Sequence, residues 1–193
     1  MCQTTFQIEE HPVARILRLQ SADGTNRLTR TCVPSLTEAI DTLREDRRAL
    51  IIAGNDKFFS SGAELEEIAA LNGPSAYEFS KMGQALMRAV ECFPANVYAA
   101  ISGYCMGGGL DLVLACHRRI ATPSAVFGHR GAALGLITGW GGTQRLPRLI
   151  GKGQALELFV AAGKISATEA LNLGLIDAIA PDPVSEALRR IQP

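Results

Sequence analysis

Net charge is the first thing this chain lacks. Its 193 residues carry 19 Lys+Arg against 19 Asp+Glu and sum to zero at neutral pH. No basic stripe or block of like charge stands out, which argues against nucleic acid or an anionic membrane surface as a partner. Paired cysteines are missing too. Cys2, Cys32, Cys92, Cys105 and Cys116 are odd in number and contain no C-x-x-C pair. That pattern argues against a disulfide framework or a zinc site. It reads as reduced thiols, small buried hydrophobes of a cytosolic protein. His11, His117 and His129 have no metal-ligand spacing, so no metal site is expected. The start, MCQTTFQIEEHP, has neither the basic nor the apolar stretch of a signal peptide. Residues 92–110 form an uncharged run long enough for a bilayer, but Pro94, Asn96, Ser102, Gly103 and Gly107–Gly109 interrupt it. A buried strand running into a tight loop is the expectation.

Familiar loop motifs are absent as well. Gly107 and Gly109 have the opening spacing of G-x-G-x-x-G, but Leu112 stands where the last glycine belongs. The Gly-Lys pairs at 151–152 and 163–164 lack the P-loop frame, and no G-x-S-x-G occurs.

What is present is a chain with 47% hydrophobic residues, enough for one domain with a substantial core. FQIEE and ARILRLQ read as strands around a turn at His11-Pro12. Leu36, Ile40 and Leu43 give residues 34–46 helical spacing. ALIIAG (49–54) is a strand-length apolar run. FFSSGAELEEIAAL reads as a turn and then a helix with Glu64, Glu66 and Glu67 in its first turn. A longer helix is expected over about 75–92, with Phe79, Met82, Leu86, Val90 and Phe93 on one face. VYAAISGY (97–104) is the next buried strand, followed by Gly107–Gly109 and a helix LDLVLACHRR. SAVFG, a glycine-rich stretch to 142 and a helix near 153–162 come next. Ser166 and Glu169 fit a capping box, and VSEALRRIQ starts a last helix that stops at Pro193. The order is α/β. ALIIAG…SSGAELEEI and VYAAISGY…GGGLDLVL echo one another: strand, small-residue turn, then a helix opening with an acid. No linker precedes about residue 181.

Consecutive glycines are entropically costly, so they need a use. A glycine backbone lets a ligand atom approach closely, and the helix that follows aims unpaired N–H groups at it. The turn at Gly62-Ala63 can offer the same. Two such donors converging on one oxygen make an oxyanion hole, suited to a thioester carbonyl becoming an enolate.

Four stretches, in this order, carry a wider likeness: ALIIAGNDKFFSSGAEL, AAISGYCMGGGLDLVLACHRRIA, VFGHRGAALGLITGWGGTQRLPRLIG and ISATEALNLGLID. With them the chain resembles the crotonase family of enoyl-CoA hydratases and isomerases, collinearly from about residue 12 to 181. The resemblance implies an α/β fold, a spiral of ββα units. Residues 1–181 would form the core domain and 182–193 the start of a shortened C-terminal helix. It implies an acyl-CoA substrate of fatty acid metabolism and no cofactor beyond the coenzyme A of the substrate. It also implies a homotrimer or hexamer in the cytoplasm, with no metal and no membrane. The oxyanion-hole donors carried over are the N–H groups of Ala63 and Gly108. Ser61, Gly62, Leu65, Gly107 and Trp140 are the matching substrate-binding positions.

Family hydratases use two glutamates as acid and base. One position here is Asp111. The other closes a phenylalanine-glycine-glutamine-proline-glutamate segment, which here reads Phe127-Gly128-His129-Arg130-Gly131. The second glutamate is therefore Gly131. Family isomerases place an aspartate near Gly135-Leu136-Ile137-Thr138-Gly139, where this chain has no acid. Asp111 is a catalytic candidate, or only a first-turn acid favoured by the helix dipole. His129 is a candidate to take over acid–base work, or a loop residue with no chemistry. Trp140 reads as packing for the acyl pocket. The expected activity is enoyl-CoA hydration or isomerisation. The alternatives are a one-acid decarboxylase or thioesterase on the same scaffold, or a non-catalytic acyl-CoA-binding subunit.

Overall fold

Alternating side chains make the first two strands a hairpin. In the computed structural model, which describes residues 4–191, β1 (Thr4–His11) pairs antiparallel with β2 (Ala14–Ser21). Cys2 and Pro193 lie outside the described residues. The chain continues through β3 (Arg27–Leu28), α1 (Cys32–Leu43), β4 (Ala49–Ala53), β5 (Phe58–Ser60) and β6 (Gly62–Ala63). Next come α2 (Leu65–Ala69), α3 (Gly73–Glu91), β7 (Val97–Ile101), β8 (Tyr104–Met106) and α4 (Gly108–Ala115). After β9 (Arg118–Ala121) and β10 (Val126–Gly128), a 3-10 turn covers Arg130–Leu134. The remaining elements are α5 (Gly142–Ile150), α6 (Lys152–Ala161), β11 (Lys164–Ser166), α7 (Ala167–Asn172), β12 (Ala178–Ile179) and α8 (Pro183–Ile191).

The strands form a large sheet in the order β1-β2-β4-β7-β9-β12, a small one in the order β11-β10-β8-β5, and the pair β3-β6. Beyond the β1–β2 hairpin the large sheet is parallel. β4 and β7 are buried at every position because both faces are covered. Leu50, Ile52, Val97, Ala99 and Ile101 join the main core with α1, α3 and α4. Ile51, Ala53, Tyr98 and Ala100 face the other way, onto Ala187, Val184 and Leu188 of α8.

The echo in the sequence is a real repeat, and there are three copies. In each, a strand of the large sheet is followed by a strand of the small one: β4–β5, β7–β8 and β9–β10. Successive copies stack in parallel in both sheets. This is the spiral of ββα units.

Several boundaries differ from the sequence reading. Phe58 and Phe59 belong to a strand, not a turn. VYAAISGY is two strands in two sheets, divided at Gly103. Gly103 has φ +60°, and a β-carbon there would overlap the Lys57 carbonyl, which accepts from Tyr104 N–H at 2.9 Å. His117 leaves the helix and RRIA forms β9. Arg119 is buried there because it donates to the carbonyls of Leu175 and Cys116 and pairs with Asp177. Cys32, Cys105 and Cys116 are buried free thiols as expected, but Cys92 is exposed at the end of α3.

Candidate functional site

Parallel strands discharge their following loops at one end of a sheet, and ligands gather there. Here β5, β8 and β10 lie side by side, so three loops meet: Ser61–Ala63, Gly107–Gly108 and His129–Gly131. Gly107 N–H donates to the Gly128 carbonyl at 3.0 Å and ties the second loop to the third. A cavity of about 580 Å³ opens at this junction. Its walls are mainly apolar, with Ile68, Leu71, Phe79, Leu134 and Ile137 among them.

The glycine triplet divides its work. Gly107, at φ +51° and ψ −120°, turns the chain from β8 into α4, a conformation that disfavours a side chain. Gly108 and Gly109 permit close approach. A β-carbon on Gly108 would collide with the Trp140 ring and lie 3.3 Å from Ala63 N. One on Gly109 would collide with Ser60. The first hydrogen bond of α4 runs from Asp111 N–H to the Gly107 carbonyl, so the helix leaves the Gly108 amide unspent. Gly62, at φ +96°, brings the other turn against Gly108 N. The Ala63 and Gly108 nitrogens are thereby neighbours on the cavity wall.

Asp111 sits one turn into α4 and is 2% exposed. Its Oδ2 accepts from Thr138 Oγ1 at 2.5 Å, and Thr138 Oγ1 accepts from Trp140 N–H at 3.3 Å. Its Oδ1 has no hydrogen-bond partner and abuts Gly142 at the start of α5, where a β-carbon would overlap it. His129 follows β10 and is 6% exposed. Its ring meets Phe159 edge-on at 5.4 Å. Its Nε2 is also without a hydrogen-bond partner and stands 3.7 Å from Asp111 Oδ2. Two ionisable side chains with unmet hydrogen-bonding capacity therefore share one buried corner, an arrangement suited to proton transfer. Cys105, on β8, is buried near Asp111. Burial pushes its thiol well up, and the nearby Cys116 and Asp111 add to this, so it stays a neutral thiol.

Of the residues singled out in the sequence, Ser61, Ala63, Leu65, Gly107, Gly108, Asp111, His129 and Trp140 line the cavity. Gly62 does not; it is buried behind the wall. Trp140 packs on Phe79 at 5.2 Å between ring centroids and donates from Nε1 to the Phe79 carbonyl at 3.1 Å. Gly131 lines the cavity without a side chain. Its φ is not left-handed, but an added β-carbon would be 2.9 Å from the Leu136 carbonyl. Asp111 is the only carboxylate lining the cavity among the described residues. Thr138, Tyr104 and Lys164 also line it and were not anticipated. The Lys164 ammonium sits 5.0 Å from the Tyr104 ring centroid. The sequence gives no local signal for Thr138, because its partner Asp111 lies 27 residues away. Among the described residues no group of three or more His, Cys, Asp or Glu is placed to hold a metal. No helix of those residues is long and apolar enough to cross a membrane.

A family model described as enoyl-CoA hydratase/isomerase matches residues 9–192. A probable enoyl-CoA hydratase of Bacillus subtilis is 42% identical over 160 residues, 81% of this chain. The match spans 62% of that relative's length. A crotonyl-CoA hydratase of Syntrophomonas wolfei is 34% identical over 99% of this chain and 75% of its own. Among solved structures, an enoyl-CoA hydratase from Bacillus anthracis superposes with a TM-score of 0.91 at 34% identity, covering 97% of this chain and 75% of that one. DspI of Pseudomonas aeruginosa gives a TM-score of 0.91 at 32% identity, over 96% of this chain and 78% of that one.

Proposed function

The chain belongs to the enoyl-CoA hydratase/isomerase family, and on that premise we propose that it hydrates or isomerises an enoyl-CoA through an enolate. The observation that carries this reading is the junction of the Ala63 and Gly108 nitrogens with Asp111 and His129 on one apolar cavity. The thioester oxygen binds between the two N–H groups. As a water oxygen bonds to the β carbon, the double-bond electrons move onto that thioester oxygen. Preorganised donors stabilise the developing charge without having to reorganise. Asp111 takes the water proton. His129 Nε2 delivers a proton to the α carbon as the enolate collapses. A proton then passes from Asp111 to His129 across their 3.7 Å separation and resets the pair. Coenzyme A enters with the substrate and no further cofactor takes part. Trimeric or hexameric assembly is proposed on the same footing; Leu156 and Val160, exposed on α6, supply apolar surface for it.

One observation favours a second reading. Asp111 is the only carboxylate on the cavity among the described residues, and Gly131 occupies the position where the resemblance expects a second glutamate. A reaction needing a single proton transfer, a decarboxylation or a thioester hydrolysis, suits one acid. The test is loss of enoyl absorbance with crotonyl-CoA, run beside CoA-thioester binding for wild type, Asp111→Asn and His129→Gln. Turnover lost in both variants with binding retained supports hydration by the pair. Turnover indifferent to His129→Gln removes His129 from the mechanism and leaves Asp111 as the working group; release of CoA thiol favours the thioesterase reading. Binding without turnover in the wild type points to a non-catalytic acyl-CoA-binding subunit.

A further inference from the structure

We propose that Thr138 is a positioning residue that holds the Asp111 carboxylate in its working orientation; this rests on the role proposed for Asp111. A carboxylate on a short side chain rotates freely about its last bond unless its oxygens are held. Both Asp111 oxygens are confined here. Oδ2 accepts from Thr138 Oγ1, and Oδ1 is packed against Gly142. The hydrogen-bond chain has a direction. Trp140 N–H is a donor only, so it occupies a lone pair of Thr138 Oγ1. Thr138 Oγ1 in turn donates its own proton to Asp111 Oδ2. Thr138 thus anchors the Asp111 carboxylate and fixes which of its oxygens faces His129 Nε2 at 3.7 Å. Thr138 lies 27 residues from Asp111 in sequence, on the loop that enters α5. Trp140, two residues further on, packs against Gly108. One short loop therefore sets both the acid and the wall behind the Gly108 donor.

Thr138→Val keeps the shape and removes the hydroxyl, and Thr138→Ser keeps the hydroxyl. With crotonyl-CoA, Thr138→Val is expected to lower kcat roughly 10- to 100-fold, the scale of a misplaced catalytic group. KM should stay within about threefold. Thr138→Ser should hold kcat within about threefold of wild type. In an Asp111→Ala background, Thr138→Val should add no further loss, because effects that act through one group do not add. Thr138→Ala provides a second hydroxyl-free variant should the valine fail to fold by circular dichroism. Three results overturn the proposal. They are unchanged kcat in folded Thr138→Val beside an impaired Asp111→Asn, equal loss in Thr138→Val and Thr138→Ser, or full additivity with Asp111→Ala. Full activity in Asp111→Asn instead removes the reading of Asp111 on which the proposal stands.

Discussion

Two of the repeated units end differently, although they begin alike. β4 and β7 are neighbours in the large sheet, and β5 and β8 are neighbours in the small one. The first unit then runs through Gly62-Ala63 into α2, a helix of 5 residues with no buried position. The second runs through the glycine triplet into α4, where every residue is buried. A buried helix anchors its N-terminal turn, so the Gly108 amide and Asp111 are held by the core itself. The Ala63 backbone is positioned by the pairing of β6 with β3 and by the close approach of Gly108. Stacking one motif twice places two donors side by side, and only the second copy also presents an acid to the cavity. Symmetry builds the wall, and its local breakdown supplies the reactive group.

The sharpest way to break this asymmetry is Asp111→Asn, which removes what only the second unit contributes. Turnover of crotonyl-CoA should fall roughly 100- to 10,000-fold with CoA-ester binding held within a few-fold. Equal turnover in wild type and variant would remove Asp111 from the mechanism. Ala63→Pro deletes the first unit's donor, with folding checked by circular dichroism. A loss of about 100- to 1000-fold in kcat is expected; a folded variant at full rate would leave the first unit without a catalytic part. The burial difference has its own measurement. Leu112→Ala, at a position 1% exposed in α4, should cost about 2–5 kcal/mol in urea unfolding. Restoring a second acid in the third unit is a smaller effect. Gly131→Glu should raise hydration at least about tenfold if the loop accommodates it. Gly131→Ala isolates the crowding against the Leu136 carbonyl, and a folded Gly131→Glu with no gain would show that His129 already supplies the second function. Smallest of all is Leu65→Ala in α2, at 55% exposure, which should stay within about 0.5 kcal/mol. A loss as large as that of Leu112→Ala would erase the contrast between the two helices.

Much of the fold was readable because local signals agreed with tertiary ones. β4 and β7 are apolar without interruption and are covered on both faces. The Ser166–Glu169 capping box forms in both directions. What escaped reading depended on other parts of the chain. VYAAISGY reads as one strand over 97–104, but it breaks at Gly103 because Lys57 crosses there. Arg119 looks like a helix-terminal charge, yet carbonyls from residues 116 and 175 make it a buried strand residue. The site divides the same way. Gly62-Ala63 and Gly107–Gly109 carry their meaning in their own backbone. The fit of Thr138 and of His129 to Asp111 exists only once distant parts of the chain have packed together.

Trp140 has a consequence of another kind. It is the chain's single tryptophan, 3% exposed, with Phe79 beside it and no room for a side chain on either Gly83 or Gly108. Its fluorescence therefore originates from one known place, the wall behind the candidate donor pair. Emission should be blue-shifted in the folded protein and respond when an acyl group enters the cavity. Red-shifting as denaturant opens α3 from α4 would let the same signal follow unfolding, so occupancy and folding can be read without a label.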